Sequence, residues 1–346
     1  MAFQEPHRRS PRMFAAMLGL LAALAMAELL ARIEGPVLCE EDANRLLQLD
    51  PEVGWSFLPE TAVTLGDCNG AGWNAPVATN EHGLADQAWP LKPRPGEVRV
   101  LLLGNEVVDG LAVAREDRLS VRIAHLADAV RGARVSVINA AIPGYSTSEN
   151  LRWLERRGRL FEPDVVLLAL DPAAESARSA SGSLSQAEWP EATEAFAPAS
   201  GLLGMSGLAR RIAGGRRALA PSGVEVAQRS GRREGTDLPA MRSRVERLAR
   251  VSRQMGASFA VIVAPGCPLV HMEADLCREL SDTAPCLDLE NRFTSVQKMT
   301  DRPLELCLEG RARWGRDAHF LASHAVWDLL TEAGVWPDGV IRGHRL

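Results

Sequence analysis

Short apolar segments alternate with amphipathic stretches over most of the chain, and this alternation constrains the fold more than any other feature. Four continuous apolar runs are typical of strands buried on both faces, and they lie at 97–104, 135–139, 164–170 and 259–264. A shorter run at 286–289 is a candidate fifth strand. Helical spacing of apolar residues is seen between or after these runs, at 118–130, 148–160, 238–255 and 318–333. The pattern predicts an α/β fold, with a mostly parallel sheet and helices on both faces.

The N-terminal region contains an uncharged apolar run from Met13 to Ala27, preceded by Arg8, Arg9 and Arg12. A helix of nineteen residues spans about 28 Å, which is enough to cross a bilayer core. Because positive charge stays on the cytoplasmic side, we expect residues 1–12 inside, a transmembrane anchor at 13–33 and the main domain in the periplasm or extracytoplasmic space of a bacterium. A cleaved export signal ending at 25–27 is the alternative.

Composition divides the remainder of the chain. Residues 34–96 are rich in Pro, Gly, Asp and Asn, which predicts an irregular lead-in between membrane and domain. Residues 97–335 form the predicted α/β domain. A stretch rich in Ala, Ser, Gly and Arg interrupts it at about 174–239 and is interpreted as an insertion, and 336–346 form a tail.

Charge and cysteine content narrow the classes of function. The formal net charge of −5 gives no electrostatic signal for nucleic-acid binding. Six cysteines are present, and none of them form a CxxC pair, so a zinc or thioredoxin-type motif is not indicated. Disulfides and free buried thiols both stay open, with Cys39 and Cys68 as the most local pair. No motif for a cofactor or metal is present, and we expect neither.

Two polar segments, one after a predicted strand and one near the C-terminus, together resemble segments of the SGNH hydrolases, the GDSL-like esterases and acyl-transfer enzymes. Residues 139–148 read Asn-Ala-Ala-Ile-Pro-Gly-Tyr-Ser-Thr-Ser, which is similar to that family's segment with the oxyanion glycine, here Gly144. Asp317-Ala318-His319 is similar to its acid–base block. The resemblance implies a three-layer, flavodoxin-like parallel sheet, with Asp317 and His319 as an acid–base pair.

The departures from the family pattern concern the nucleophile and an oxyanion donor. The family's first block carries the nucleophilic serine, and here Gly104-Asn105-Glu106 places Glu106 at that position. The family's third block carries an asparagine, and here Leu170-Asp171 lacks one. Loss of the nucleophile from a serine triad lowers turnover by on the order of a million-fold. Asp317 and His319 would then be vestigial, together with Gly144 at the oxyanion position.

The resemblance and its departures lead to one hypothesis and two alternatives. The hypothesis is a catalytically inactive SGNH-like protein that serves as a structural or stabilising subunit of a membrane complex, in contact with integral membrane proteins and lipid. The first alternative is an esterase or O-acyltransferase acting on envelope polysaccharide. The second is a carbohydrate- or lipid-binding module. Ser146 and Ser148 are interpreted as helix-capping residues rather than as substitute nucleophiles.

Overall fold

The computed structural model describes residues 46–66, 74–131, 134–179, 237–267, 275–308 and 313–337, together with residue 269, the backbone of 37–39 and some positions between 15 and 26. Several predictions therefore lie outside the described residues. These are the cytoplasmic segment 1–12, most of the anchor 13–33, most of the insertion 174–239, the end of the tail 336–346 and the Cys39–Cys68 pair.

The lead-in is not irregular as predicted, because it contains five short strands: β1 (Val37–Cys39), β2 (Leu47–Asp50), β3 (Gly54–Phe57), β4 (Ala62–Gly66) and β5 (Asn74–Ala78). β2 and β3 form an antiparallel hairpin. β4 pairs in parallel with β1 and antiparallel with β5. The strands have only three to five residues each, and β1 pairs with a strand distant in sequence. Segments this short show too little periodicity to be recognised.

The main sheet has five strands: β6 (Val98–Leu103), β7 (Val135–Asn139), β8 (Val165–Leu170), β9 (Ser258–Val263) and β10 (Cys286–Asp288). Their order is β10-β9-β8-β6-β7, and every neighbouring pair is parallel. Counted along the chain this is the order 2-1-3-4-5 of flavodoxin-like sheets. All five strand predictions are thus confirmed within about one residue at each end.

Helices cover both faces of this sheet, and their bounds are α1 (Leu119–Arg131), α2 (Thr147–Arg156), α3 (Pro172–Ser179), α4 (Leu238–Gln254), α5 (Leu276–Glu279), α6 (Leu289–Met299) and α7 (Arg316–Glu332). Successive residues of a strand point to opposite faces. Accordingly Leu101 packs in the core cluster with α2 and α4, whereas Leu102 packs in the cluster with α1, α6 and α7. The predicted α/β class with helices on both faces is confirmed.

The second predicted helix begins and ends earlier than expected. Ser146, rather than Ser148, is the N-cap of α2, and with Glu149 it forms a reciprocal capping box. The helix ends at Arg156, and a 3-10 turn follows at Gly158–Phe161. A Cβ atom at position 158 would lie 2.6 Å from Leu154 Cδ1, so a larger residue there would displace the end of that leucine side chain.

Two disulfides join parts of the C-terminal half, Cys267–Cys307 and Cys277–Cys286. The sequence left these pairings open. Among the described positions, no helix combines the length and the apolar character that a membrane crossing requires.

Candidate functional site

The carboxyl edge of the main sheet brings together three segments that the sequence singled out. Glu106 follows β6, Gly144 lies in the loop after β7, and Asp171 directly follows β8. β6 and β8 are neighbours although β7 lies between them in sequence, so this edge is a topological switch point. Ligands of open α/β sheets bind at such points.

The side chain of Glu106 is hydrogen-bonded to the loop that carries Gly144. Its Oε2 atom accepts a hydrogen bond from the backbone N–H of Gly144 at 2.6 Å. Gly144 has a φ of +77°, a conformation that glycine adopts at little cost. The N–H that the resemblance assigns to oxyanion binding is therefore engaged by a carboxylate of the same chain.

The turn after β6 is built so that Glu106 faces this loop. A Cβ atom at Gly104 would lie 2.5 Å from Val108 Cγ2, so the close turn requires glycine. Asn105 is buried; its Oδ1 accepts a hydrogen bond from Val107 N at 3.1 Å, and its Nδ2 donates to Asp171 Oδ2 at 2.9 Å. These contacts hold the backbone on both sides of the glutamate.

Asp171 stands where the resemblance would place an oxyanion-binding asparagine, but it acts as an acceptor. Besides the bond from Asn105, its Oδ1 accepts from Ala173 N at 2.9 Å at the start of α3. Burial raises the pKa of Asp171 to about 6, the Asn105 hydrogen bond opposes this rise, and the nearby charge of Glu106 adds to it. The position supplies no oxyanion donor in this geometry.

The loop around Gly144 is held in place by the lead-in hairpin. Trp55, on β3, donates from its indole Nε1 to Pro143 O at 2.9 Å. In return the hydroxyl of Tyr145 donates to Trp55 O at 2.5 Å, and the two rings pack edge to face with centroids 5.2 Å apart. The sequence did not indicate this contact, because it joins segments that are far apart in the chain.

A buried ion pair at the same edge was also missed. Asp109 and Arg313 are both buried and are joined by a hydrogen-bonded salt bridge. Burial raises the pKa of Asp109, and the charge of Arg313 acts against this rise. Asp109 lies close behind Glu106 in sequence and could have been singled out for that reason, but nothing in the sequence marks Arg313 as its partner.

His319 is fully buried on α7 and faces the beginning of α1 rather than Glu106. Its Nδ1 accepts a hydrogen bond from Leu119 N at 3.3 Å, and its ring packs against Trp314. Among the described residues its Nε2 has no hydrogen-bond partner. Burial lowers the pKa of His319 to about 3, helped by the charges of Arg118 and Arg122. The neutral imidazole therefore serves as an acceptor for the first turn of a helix.

Asp317 has partners of its own, so the predicted acid–base pair is not formed. Its carboxylate accepts hydrogen bonds from Arg302 at 3.2 and 3.4 Å and from Glu305 N at 3.0 Å. Although burial raises the pKa of Asp317, these bonds outweigh it and hold the pKa below its usual range. Residues two apart on a helix do not face each other, which explains why Asp317 and His319 separate once α7 begins at Arg316.

The chemistry available to this arrangement is limited. Within the described part of the chain, His319 is hydrogen-bonded to no serine or threonine hydroxyl, and its Nδ1 accepts from Leu119 N instead. The same part of the chain contains no group of three or more His, Cys, Asp or Glu residues that could hold a metal ion.

The chain is similar to solved structures of esterases and acylhydrolases at low identity. One is a psychrotrophic esterase from Pseudoalteromonas sp. (15% identity, 68% of this chain and 97% of that chain covered, TM-score 0.35). Others are a lipase/acylhydrolase from Enterococcus faecalis (13%, 67% and 95%, TM-score 0.40) and an acetylxylan esterase from Geobacillus stearothermophilus (11%, 67% and 94%, TM-score 0.41). No protein-family model and no curated protein sequence matches the chain.

Proposed function

We propose that this chain is a non-hydrolytic SGNH-like protein that serves as a structural or stabilising subunit of a membrane complex, on the extracytoplasmic side of a bacterial cytoplasmic membrane. The observation that carries the loss of hydrolysis is the 2.6 Å hydrogen bond from Gly144 N–H to Glu106. The Glu106 carboxylate, a negatively charged acceptor, stands where an acyl-transfer enzyme needs a nucleophile. It also occupies the Gly144 N–H, which such an enzyme needs free to bind the oxyanion.

The electrostatics of this contact oppose acyl transfer. A tetrahedral intermediate develops negative charge on its oxygen, and preorganised N–H groups stabilise that charge. In this chain the Gly144 N–H is turned toward Glu106, whose carboxylate would repel a second anion. Removal of one such donor alone lowers turnover by about a hundred- to a thousand-fold. This loss and the loss of the hydroxyl need not add, but either alone leaves little acyl-transfer activity.

The position of His319 supports the same proposal. A general base must reach the proton that it removes, directly or through one water. Here the imidazole is completely buried and its Nδ1 accepts the N–H of Leu119. The histidine thus contributes to the packing of α7 against α1.

The location outside the cytoplasm is supported by the cysteines and by the N-terminal residues. Disulfides such as Cys267–Cys307 and Cys277–Cys286 persist in oxidising compartments. The described positions between 15 and 26 are helical. Among them Met17, Leu18, Leu20 and Met26 are more than half exposed. Lipid or a helix of a partner protein would cover such side chains, as expected for an anchor.

The loss of hydrolysis is tested with the full chain in detergent, a serine-directed fluorophosphonate and an activated acetyl ester. We expect no labelling and no turnover. We also expect Glu106→Ser to stay unlabelled, because a new hydroxyl would still lack a histidine base. Labelling of the unaltered chain that His319→Ala abolishes would overturn the proposal and favour the esterase or acyltransferase alternative.

The role as a subunit is tested by purifying the tagged chain from native membranes in a mild detergent. We expect an integral membrane protein in stoichiometric amount. A matched chain, in which residues 13–33 are replaced by an unrelated apolar segment, shows whether the anchor or the folded domain makes the contact. Release of the unaltered chain as a monomer alone would contradict a subunit role.

A further inference from the structure

The amino edge of the main sheet, where its parallel strands begin, carries a row of exposed cations. Each of the four neighbouring strands β9, β8, β6 and β7 is preceded by at least one of them. In this order they are Arg253, Arg159, Lys92 with Arg94, and Arg134. Because neighbouring strands lie about 4.8 Å apart, the four strand starts span about 15 Å. None of the five cations forms a salt bridge with another described residue.

Exposed acids are fewer at this edge. In the described connections that lead into these strands and into β10, the exposed acids are Glu162 and Asp282. Glu97 and Asp164 are half-buried and accept hydrogen bonds from the backbone N–H groups of nearby residues. The chain as a whole has a formal net charge of −5. The amino edge is therefore locally opposite in charge to the chain.

The depression between the β2–β3 hairpin and the end of α2 borders this row but is not part of it. Three acids, Asp50, Glu52 and Glu81, line the depression together with Arg156 and Arg157. These groups leave one net negative charge, so an anion gains no attraction by entering the depression. The cationic surface is thus limited to the strand starts.

Two exposed leucines stand among the cations, and a buried arginine holds them side by side. Leu91 is 40% exposed and Leu160 is 53% exposed. Arg99 is fully buried, and its Nη1 donates to Leu91 O and to Phe161 O at 2.8 Å each, while its Nη2 donates to Lys92 O at 2.8 Å. The two carbonyl oxygens that share Nη1 lie at most twice that distance apart, and Leu160 directly precedes Phe161. The backbone that presents both leucines and the lysine is therefore fixed as one surface.

We infer that this cationic edge, formed by the five cations with Leu91 and Leu160, docks on the anionic headgroups of a lipid bilayer. Cations are attracted to the phosphates of such a surface. Apolar side chains that stand between them enter the boundary between headgroups and acyl chains.

The inference rests on the proposed location at a membrane. An anchor keeps a bilayer within reach of the domain, so a weak surface contact is sufficient for docking. Because the amino and carboxyl edges are opposite ends of the same strands, docking would turn Glu106 and Gly144 away from the bilayer. The carboxyl edge would then face the space in which the extracytoplasmic parts of a partner protein lie.

The docking is tested by hydrogen exchange on the full chain in lipid nanodiscs. The discs contain phosphatidylcholine alone or with one third phosphatidylglycerol, and the chain in detergent is the reference. We expect the backbone amides of 91–94 and 157–161 to exchange more slowly in the anionic discs than in the other two conditions, because the bilayer covers them there.

Removal of charge tests whether the cations make the contact. Lys92→Gln together with Arg159→Gln should lower the ratio of docked to free edge by about 25-fold, since each cation near an anionic surface contributes about fivefold. Lys298→Gln together with Arg316→Gln is the matched control. It removes the same two charges from exposed positions on α6 and α7, which pack on the other face of the sheet, and should leave exchange at the amino edge unchanged.

The contribution of the leucines is tested in the same way. Leu91→Ser together with Leu160→Ser should also reduce the slowing of exchange in the anionic discs. Met299→Ser, at an exposed apolar position at the end of α6, should not.

The inference is overturned if both segments exchange at the same rate in anionic and neutral discs while the chain stays in the discs, or if the two charge variants behave alike. Slow exchange in native membranes but in neither kind of disc would show that a protein covers the edge, and would overturn it as well. A chain that leaves the discs would contradict the proposed anchor instead. Flotation of that chain with phosphatidylglycerol vesicles then decides the docking, because binding supports it and absence of binding overturns it.

Discussion

The residue at position 106 determines which chemistry is available at the end of β6. A serine hydroxyl donates, accepts and can attack a carbonyl, whereas an ionised glutamate only accepts. The longer side chain also reaches across the sheet edge to Gly144 N. A charge-assisted hydrogen bond of this kind stabilises the loop. Under the proposed function, Glu106 would therefore both replace the nucleophile and occupy the position of the oxyanion.

His319 shows that the spacing of a sequence motif does not establish which side chains contact each other. The Asp317-Ala318-His319 spacing suggested a pair, but these residues lie on α7 and point in different directions. The sequence could not reveal that Leu119 N would be the partner of the imidazole, because that contact joins residues 200 positions apart. Glu106 and Gly144, by contrast, could be placed together, since both follow strands of one sheet.

The buried state of His319 predicts a pH dependence of stability. Its pKa is lowered from 6.5 to about 3 by burial, so the unfolded chain takes up a proton that the folded chain does not. Stability is therefore present above about pH 6.5 and is lost as the pH falls toward 3. Between pH 7 and pH 4.5 the loss is about 2.5 kcal/mol. In His319→Gln this part of the loss should be absent, as measured by urea unfolding at both pH values.

The substitution also alters packing, but that cost is the same at both pH values and cancels in the comparison. His125→Gln is the control, because His125 is exposed on α1 and should leave the acid sensitivity unchanged. An equal loss of stability on acidification in His319→Gln and in the unaltered chain would show that His319 is not the responsible group.

The β2–β3 hairpin is a second element that shapes the sheet edge, through Trp55 and its contacts with Pro143 and Tyr145. These two hydrogen bonds fix the loop on both sides of Gly144. The lead-in is therefore part of the framework of the site. The composition of the lead-in indicated only a connection to the membrane. In the structure, this segment also positions the residues beside Gly144.

A double-mutant cycle tests this coupling. Tyr145→Phe removes the hydroxyl that bonds Trp55 O, and Trp55→Phe removes the indole N–H that bonds Pro143 O. Each change should lower the free energy of unfolding by about 1 kcal/mol or more. Because both bonds hold the same loop against the hairpin, we expect an interaction energy of about 0.5 kcal/mol or more. Strict additivity in chemical denaturation would contradict a coupled hairpin and loop.

The strands of the main sheet were predictable and those of the lead-in were not, for a physical reason. A strand buried on both faces, such as β8, needs an unbroken apolar run, and such a run is visible without knowledge of its partners. β5 alternates between exposed and buried residues over only five positions. Without knowledge of the pairing with β4, the same five residues are equally compatible with a loop.

Two core clusters, one on each face of the main sheet, make up most of the buried interior of the described chain. Cys267 follows β9, and Cys307 pairs with the strand-like segment that contains Trp314. Their disulfide thus ties the carboxyl edge of the sheet to the residues that lead into α7. Arg313, in that segment, reaches Asp109 at the same edge.

The two disulfides should contribute unequally to stability. The Cys267–Cys307 bridge closes 40 residues and the Cys277–Cys286 bridge closes 9, and a longer loop loses more unfolded-state entropy when it is closed. Replacing both cysteines by alanine should cost about 4 kcal/mol for the first bridge and about 2.5 kcal/mol for the second. Urea unfolding of the two double variants measures the contribution of each bridge to the free energy of unfolding. The unaltered chain is measured for comparison under reducing and oxidising conditions. An equal or reversed ranking would mean that contacts in the folded edge, rather than chain entropy, set the contribution of each bridge.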